Sequence, residues 1–224
     1  MVNRARRAEC PSEGTRLGGS RSGTCRAEGH AIDWIDWTVT LNDLITSERL
    51  LIEPLLGSHA ELLFEGMSEP RIYRWISALP PRSLDLLQQR WSAAENRGAN
   101  PEGEIDLNWA VRRSSDGCYI GKLDAEVARN NVATNVGYII FLPFWNQGYA
   151  TEALRAVASH LERQGVVEQR ALVTLGNDAS ARVLTKAGFV RTRVIPDNDT
   201  IRGEKYDDVE YVRKVAAARR EPPK

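Results

Sequence analysis

Between the apolar run Val136-Gly137-Tyr138-Ile139-Ile140-Phe141-Leu142 and a stretch of helical spacing lies Asn146-Gln147-Gly148-Tyr149-Ala150-Thr151-Glu152-Ala153-Leu154. A strand that turns through a glycine into a helix leaves the backbone N–H groups of the first turn unpaired and converging. The helix dipole adds partial positive charge at the same place, so the turn is a ready anion site. Ala153, Leu154, Val157 and Leu161 fall on one face of the helix expected from Ala150 to Gln164, and Gly165 is placed to end it. Alone, such a turn reads more readily as a plain connection with a capping glycine.

The rest of the chain reads as one domain with extensions. Residues 1–43 form an N-terminal extension, of which Met1 to Gly29 is rich in Arg, Gly and Ser and nearly devoid of aliphatic side chains. Such a segment buries too little apolar area to offset chain entropy, so it is expected to be disordered or loosely docked, unless translation starts later. The acidic-aromatic segment Ile32 to Trp37 is suited to docking as a short strand or helix. The folded domain is expected over residues 44–214 and a frayed tail over 215–224. Within the domain, Thr46 to Pro54 reads as a strand, His59 to Met67 as a helix, Pro70 as the start of a short helix, and Arg82 to Arg97 as a longer one. Asn100 to Asp106 reads as an acidic loop. Strands follow over Asn108 to Arg113, Tyr119 to Glu126 and Val132 to Leu142, with turns at Ser114-Ser115-Asp116-Gly117 and Arg129-Asn130-Asn131. After the long helix come a strand from Arg170 to Leu175, a helix from Ala179 to Ala187, and a final antiparallel pair, Phe189 to Ile195 with Glu204 to Val212.

Charge and cysteine usage narrow the function. Thirty basic and thirty acidic residues balance, so no global field draws the chain to nucleic acid. No apolar stretch is long enough to cross a bilayer. Cys10, Cys25 and Cys118 have no ligand-spaced histidine or cysteine partners, which argues against a disulfide framework or a bound metal and fits a reducing cytoplasm. His30, His59 and His160 are scattered, without a partner pattern.

About thirty residues beyond the glycine turn stands a second constellation: Asn177-Asp178-Ala179-Ser180, Arg182-Val183-Leu184, Lys186 and Gly188-Phe189. In this order and spacing, and with Gly137-Tyr138, Phe144-Trp145 and the opening Ser47-Glu48-Arg49-Leu50, the chain resembles the GNAT superfamily of acyl-CoA-dependent N-acyltransferases. It is most similar to the RimJ/RimL-like branch of ribosomal-protein N-terminal acetyltransferases. The resemblance covers roughly residues 44 to 214 and implies an α/β fold, with a mixed, mostly antiparallel central sheet, splayed central strands and flanking helices.

The resemblance also implies a cosubstrate, acetyl-CoA, and a place for each part of it. The strand Val136 to Leu142 splays from its neighbour, and backbone groups near Ile140, Phe141 and Leu142 pair with the amides of pantetheine, as a strand added to a sheet edge does. The pyrophosphate rests on the N–H groups of Gln147, Gly148, Tyr149 and Ala150, with Thr151 as a hydroxyl donor. Asn177 contacts the pantetheine arm, or caps the helix it precedes, or both. Many GNAT proteins use a tyrosine to protonate the leaving thiolate; the aligned residue is Leu184, as in the RimJ/RimL-like branch, and Ser180 becomes the candidate donor, against the plainer reading that it starts a helix. Asp199, in the expected loop between the last two strands, and Glu126 are rival bases, although each reads more readily as a solvated loop or strand-edge charge, and a water chain would serve as well. Tyr138, Trp145 and Trp75 read first as core, with Ile72 to Trp75 resembling the acceptor-cleft wall. Asp197, Asp199, Asp207, Asp208 and Glu210 lie near the expected acceptor side, where they would attract a cationic amine, although charges at strand ends are usually just solvated. The function implied is acetyl transfer to a primary amine, either a protein N-terminus or a small molecule; a non-catalytic acyl-CoA-binding module is the third reading. No nucleic-acid or membrane partner is expected, and homodimerisation is left open.

Overall fold

The computed structural model describes residues 41–95 and 103–215. Residues 1–40, with the docking segment Ile32 to Trp37, lie outside the described residues, as do 96–102 and the tail from 216. Eight strands form one sheet: β1 (Ile45–Thr46), β2 (Leu50–Pro54), β3 (Ile105–Arg113), β4 (Tyr119–Val127), β5 (Val132–Ile140), β6 (Glu168–Thr174), β7 (Val190–Ile201) and β8 (Glu204–Lys214). Their order is β1-β2-β3-β4-β5-β6-β8-β7. Every pairing is antiparallel except β5 with β6. This is the mixed, mostly antiparallel α/β architecture expected.

Alternation along the strands divides the sheet into two faces. One face, with Trp109, Leu123, Val136, Tyr138, Ala171 and Val209, packs on α3 (Tyr149–Arg163) and α4 (Asp178–Lys186). The other, with Ala110 and Ile139, packs on α1 (His59–Met67), α2 (Leu84–Glu95) and the 3₁₀ turn Pro70–Tyr73. The helix spacing explains α3: Ala153, Leu154, Val157, Ala158 and Leu161 are all fully buried. Leu41 is also fully buried and its carbonyl lies 3.0 Å from His160 Nε2, so chain ahead of Leu44 already packs on the core.

Two differences from the sequence reading have clear causes. The expected strand Thr46 to Pro54 is broken at Ser47, where the Ser47 N–H donates to Leu50 O (2.9 Å) and closes a tight turn between β1 and β2. At the far end, β7 continues to Ile201 instead of ending at Ile195, across a register irregularity between Ile195 and Asp199. Pro196 supplies no N–H to a ladder, and Asp197 takes a positive φ of 51°, so the strand bulges there and resumes.

His59 illustrates how α1 is tied to the sheet. Its Nδ1 accepts the Leu56 N–H (2.9 Å), its Nε2 lies 3.6 Å from Glu53 Oε1, and its ring packs 5.3 Å from that of Tyr119. Burial lowers its pKa below the ordinary 6.5, outweighing the opposing pull of Glu53. A histidine held neutral by the fold takes up its proton more readily when unfolded. Its contribution to stability is therefore complete above about pH 6.5 and is lost as pH falls below that value. His59→Asn keeps an acceptor near Leu56 but cannot titrate. Urea unfolding at a series of pH values is expected to give a shallower loss of stability below pH 6.5 for the variant than for the parent; parallel curves would contradict this account.

Candidate functional site

The parallel strands β5 and β6 meet only at Val132 with Glu168 and Ala133 with Gln169. Beyond that pair they diverge, although β5 continues to Ile140 and β6 to Thr174. The result is a fork, closed at Ala133 and open beyond Ile140. The chains leaving the two prongs enter α3 and α4, so both helices begin at the open end. A groove there is lined by Ile140, Trp145, Gly148 and Thr151 on one side and by Arg182 and Lys186 on the other.

The turn into α3 leaves its backbone open to close approach. Asn146 and Gly148 both have positive φ, 60° and 84°, a conformation that asparagine tolerates and glycine adopts freely. Gly148 is the N-cap of α3 and offers no side chain to the first-turn N–H groups. A Cβ at Gly148 would meet one atom within 4 Å, Arg49 Nη2 at 3.4 Å, so the space over the backbone is otherwise open. Gln147 faces its own turn, donating from Nε2 to Pro143 O (2.8 Å). Tyr149 points into the core, edge-on to Phe144 at 6.4 Å, and contributes backbone to the turn. Ala150 and Thr151 line the groove itself. Across from this turn, Arg182 and Lys186 stand one helical turn apart, adding two cationic side chains to an end already rich in N–H donors. The arrangement suits a diphosphate.

At the other helix start, Asn177 is 3% exposed and caps α4, its Oδ1 accepting the Ser180 N–H at 3.3 Å. Its Nδ2 is buried with no hydrogen-bond partner among the described residues. A buried amide left half-satisfied costs about 1–3 kcal/mol, a cost relieved by an acceptor such as a ligand carbonyl. The capping bond uses only Oδ1, so it leaves Nδ2 available to such an acceptor. Ser180 is fully buried, and its Oγ accepts a hydrogen bond from the Tyr138 hydroxyl at 2.9 Å. Burial pushes the Tyr138 phenol well above its ordinary pKa, and the bond to Ser180 offsets only part of the shift, so Tyr138 stays a donor. With one lone pair of Ser180 engaged, its own proton is left to point elsewhere. Leu184 is a fully buried core residue.

The backbone of the open prong is already partly engaged. Phe141 N–H donates to Ile120 O on β4 (2.9 Å), and Phe141 O accepts the Phe144 N–H (2.9 Å). Leu142 O accepts the Trp145 N–H at 3.1 Å within the 3₁₀ turn Leu142–Phe144. Ile140 O accepts the indole N–H of Trp145. Of the three residues, Ile140 is the one whose groups turn away from β4 and toward the fork, because Phe141 on one side bonds β4 and strand backbones alternate. Pairing of a ligand amide with the Ile140 carbonyl exchanges it for the Trp145 indole.

On the opposite face, the segment after α1 and the β7–β8 hairpin meet over the open end of the fork. Thr174 Oγ1 donates to Trp75 O (3.2 Å), and Arg202 Nη2 donates to Tyr73 O (3.2 Å). The Trp75 ring lies 3.4 Å from where a Cβ on Gly176 would sit. Asp199 belongs to this region. It stands on β7 opposite Tyr206, not in a loop, is 2% exposed, and accepts the Thr200 N–H at 2.6 Å. Glu126 is elsewhere: it pairs with Asn135, five residues back along β5 from Ile140, or about 17 Å at 3.3 Å per residue. The fork thus brings Ser180, Asn177 and the Gly148 turn together and leaves Glu126 near the closed end. The acidic residues of the hairpin are largely spent on structure, Glu210 on Arg193 (3.1 Å), Asp208 on Asn198 (2.7 Å) and Asp207 on the Asp197 N–H (3.0 Å).

Four contributors to this site escaped the sequence reading as site residues: Arg182, Lys186, Tyr138 and Arg49. The four-residue spacing of Arg182 and Lys186 on a helix beginning at Asn177 was the available signal. For Tyr138 and Arg49 the partners are 42 and 103 residues away in the chain, so no local pattern exposes them.

Comparison with known proteins agrees with this geometry. Residues 49–190 match the model of the acetyltransferase (GNAT) domain. An uncharacterized N-acetyltransferase of Bacillus subtilis, YoaA, is 24% identical over 170 residues, covering 75% of this chain and 94% of its own. Among solved structures, a RimL ribosomal L7/L12 alpha-N-protein acetyltransferase in complex with coenzyme A superposes with a TM-score of 0.68 at 18% identity, over 77% of this chain and 99% of that one. The microcin C7 self-immunity acetyltransferase MccE, in complex with acetyl-CoA and AMP, gives 0.67 at 16% identity, over 75% and 94%. The likenesses span several kinds of acetyltransferase at low identity. The match over residues 49–190, on a forked sheet with a glycine turn at its mouth, establishes that the chain belongs to the GNAT acetyltransferase family.

Proposed function

We propose that this protein transfers an acetyl group from acetyl-CoA to a primary amine by direct attack, and that the amine is a protein N-terminus. The observation that carries the proposal is the fork between β5 and β6 opening onto the Gly148 turn. In this reading the N–H groups of Gly148, Tyr149, Ala150 and Thr151, with Gln147 shaping the turn, hold the pyrophosphate, and Arg182 and Lys186 neutralise it. The orphaned Asn177 Nδ2 donates to the pantetheine arm. Ile140 offers its carbonyl to the same arm once the Trp145 indole has moved, while Phe141 and Leu142 shape the prong. Acetyl-CoA supplies an activated acetyl group; the chain orients it and manages protons.

Acyl transfer requires a neutral amine, a polarised carbonyl and stabilisation of the departing sulfur. The amine lone pair adds to the carbonyl carbon, the carbon–sulfur bond breaks, the sulfur keeps the electron pair, and the nitrogen loses one proton. Ser180 donates a hydrogen bond to that sulfur, with the Tyr138 hydroxyl donating in turn to Ser180 Oγ. Such a chain polarises the serine hydroxyl beyond what an isolated serine achieves. Asp199 is the better placed of the two carboxylates to take the proton from nitrogen, directly or through water. Glu126, near the closed end of the fork, stands too far from Ser180 to share that task. The N-terminus reading draws on the likeness to the RimL enzyme. The likeness to MccE supports a second reading, a small-molecule amine acceptor.

Release of CoA thiol from acetyl-CoA, followed with peptides of differing N-terminal residues and with polyamines, aminoglycosides and amino-acid derivatives, tests the choice. Peptide-stimulated release above every small amine is expected; stimulation by a small amine alone would move the assignment to the second reading, and no stimulation by any acceptor would remove the enzymatic one. Gly148→Glu, which places bulk and negative charge in the turn, is expected to weaken acetyl-CoA binding at least ~10-fold in calorimetric titration; unchanged affinity would contradict the placement of the pyrophosphate. Ser180→Ala is expected to lower kcat roughly 10-fold or more, the worth of a hydrogen bond to a charged group, with little change in cofactor affinity. Tyr138→Phe should give part of that loss, and the double variant no more than Ser180→Ala alone. Wild-type turnover of Ser180→Ala would take the serine out of the mechanism.

A further inference from the structure

Glu152 presents a problem for the proposed cofactor site. It is in the first turn of α3, four residues beyond Gly148, where its N–H donates to Gly148 O (3.0 Å). A carboxylate there favours the helix but repels any dianion settling on the same turn. Its environment keeps it ionised. Burial alone raises its pKa, but the Ser47 hydroxyl, the Arg49 N–H and the Arg49 guanidinium more than reverse this, and the net shift is downward.

Those partners come from the β1–β2 turn, about a hundred residues upstream. Glu152 Oε1 accepts from Ser47 Oγ (2.8 Å) and from the Arg49 N–H (2.7 Å), and Glu152 Oε2 accepts from Arg49 Nε (2.7 Å). The same guanidinium reaches across to the turn. Nη1 donates to Gln147 O (3.1 Å), Nη2 lies 3.4 Å from the Cβ position of Gly148, and the plane rests over the Tyr149 ring at 4.3 Å. Arg49 is thus interposed between the carboxylate of Glu152 and the backbone of Gly148, and it also turns the Gln147 carbonyl dipole to itself.

Resting on the cofactor site proposed above, we infer that Arg49 is a positioning residue that makes the turn receptive to diphosphate, by masking the Glu152 carboxylate and fixing the Gln147–Gly148 peptide. Lysine at this position cannot bond Glu152 and Gln147 at once, since it lacks the planar fork. The inference separates two roles for one cation. A residue that only bonds phosphate directly would be missed equally whether or not Glu152 keeps its charge. A masking residue becomes dispensable once that charge is gone.

Calorimetric titration of full-length Arg49→Ala, Glu152→Gln and Arg49→Ala/Glu152→Gln with CoA and with pantetheine, which has no phosphate, tests this. Thermal unfolding of each variant verifies that the domain is folded. The expected result is at least a 10-fold loss of CoA affinity in Arg49→Ala, recovery to within about 3-fold of the parent in the double variant, and pantetheine affinity unchanged throughout. A double variant as weak as Arg49→Ala, or an Arg49→Ala that binds CoA normally, would overturn the masking role while leaving the cofactor site intact. A parent protein that binds no CoA would overturn both. Should Arg49→Ala fail to fold, Arg49→Lys and Arg49→Lys/Glu152→Gln carry the same comparison.

Discussion

The early end of the β5–β6 pairing governs everything else in this molecule. Parallel strands in a continuous sheet would share their ladder to the end, and no ligand could enter. Here the ladder lasts for two residue pairs, Val132 with Glu168 and Ala133 with Gln169, and the strands then separate. Because α3 and α4 both start at the separated ends, their N-termini face the same opening. Strand divergence thus brings two ordinary helix starts to one opening, with N–H donors at Gly148 to Thr151 and a half-satisfied amide at Asn177.

The two halves of the sheet are held in this spread position by contacts that cross it. On one face, α3 packs under both halves, with Val157, Ala158 and Leu161 buried against β5 and β6, and Gln169 Nε2 donates to Ala158 O at 2.8 Å. Arg213 on β8 bonds Glu162 on α3 (2.7 Å) and Ala187 O at the end of α4 (2.6 Å). Arg155 on α3 donates from Nε to Lys186 O (2.8 Å), fixing α3 against α4. On the other face, the bonds from Thr174 to Trp75 O and from Arg202 to Tyr73 O close the segment Pro70 to Ile76 onto the β7–β8 hairpin. The cavity that results is polar at its backbone and apolar along its sides, a combination suited to a long, flexible, phosphate-bearing thioester.

What the sequence disclosed and what it hid divide along a physical line. Features set by neighbours in the chain were legible: the glycine turn, the amphipathic faces of α3 and α4, the cap at Asn177 and most of the strands. The family resemblance supplied the fork, which composition and periodicity do not, because divergence of two strands is a property of their pairing. Features made by distant partners were hidden. The Tyr138 ring read as core, and it is core, yet its hydroxyl finds Ser180 across the sheet–helix interface. Arg49 read as part of an opening motif, and its bonds to Glu152 join residues about a hundred positions apart. Asp199 was expected in a loop, but Pro196 and Asp197 make a bulge and not an end to β7, so the carboxylate is buried on the hairpin instead of lying free in solvent.

A crystal structure of the protein with bound CoA bears most directly on the central claim, that the diverging strands and the turn at Gly148 form one cofactor site. The account predicts the pyrophosphate on the backbone N–H groups from Gly148 to Thr151, the pantetheine arm between Ile140 and Asn177, and the thiol within reach of Ser180. CoA found outside the fork, or a fork that closes with its backbone groups paired strand to strand, would contradict it.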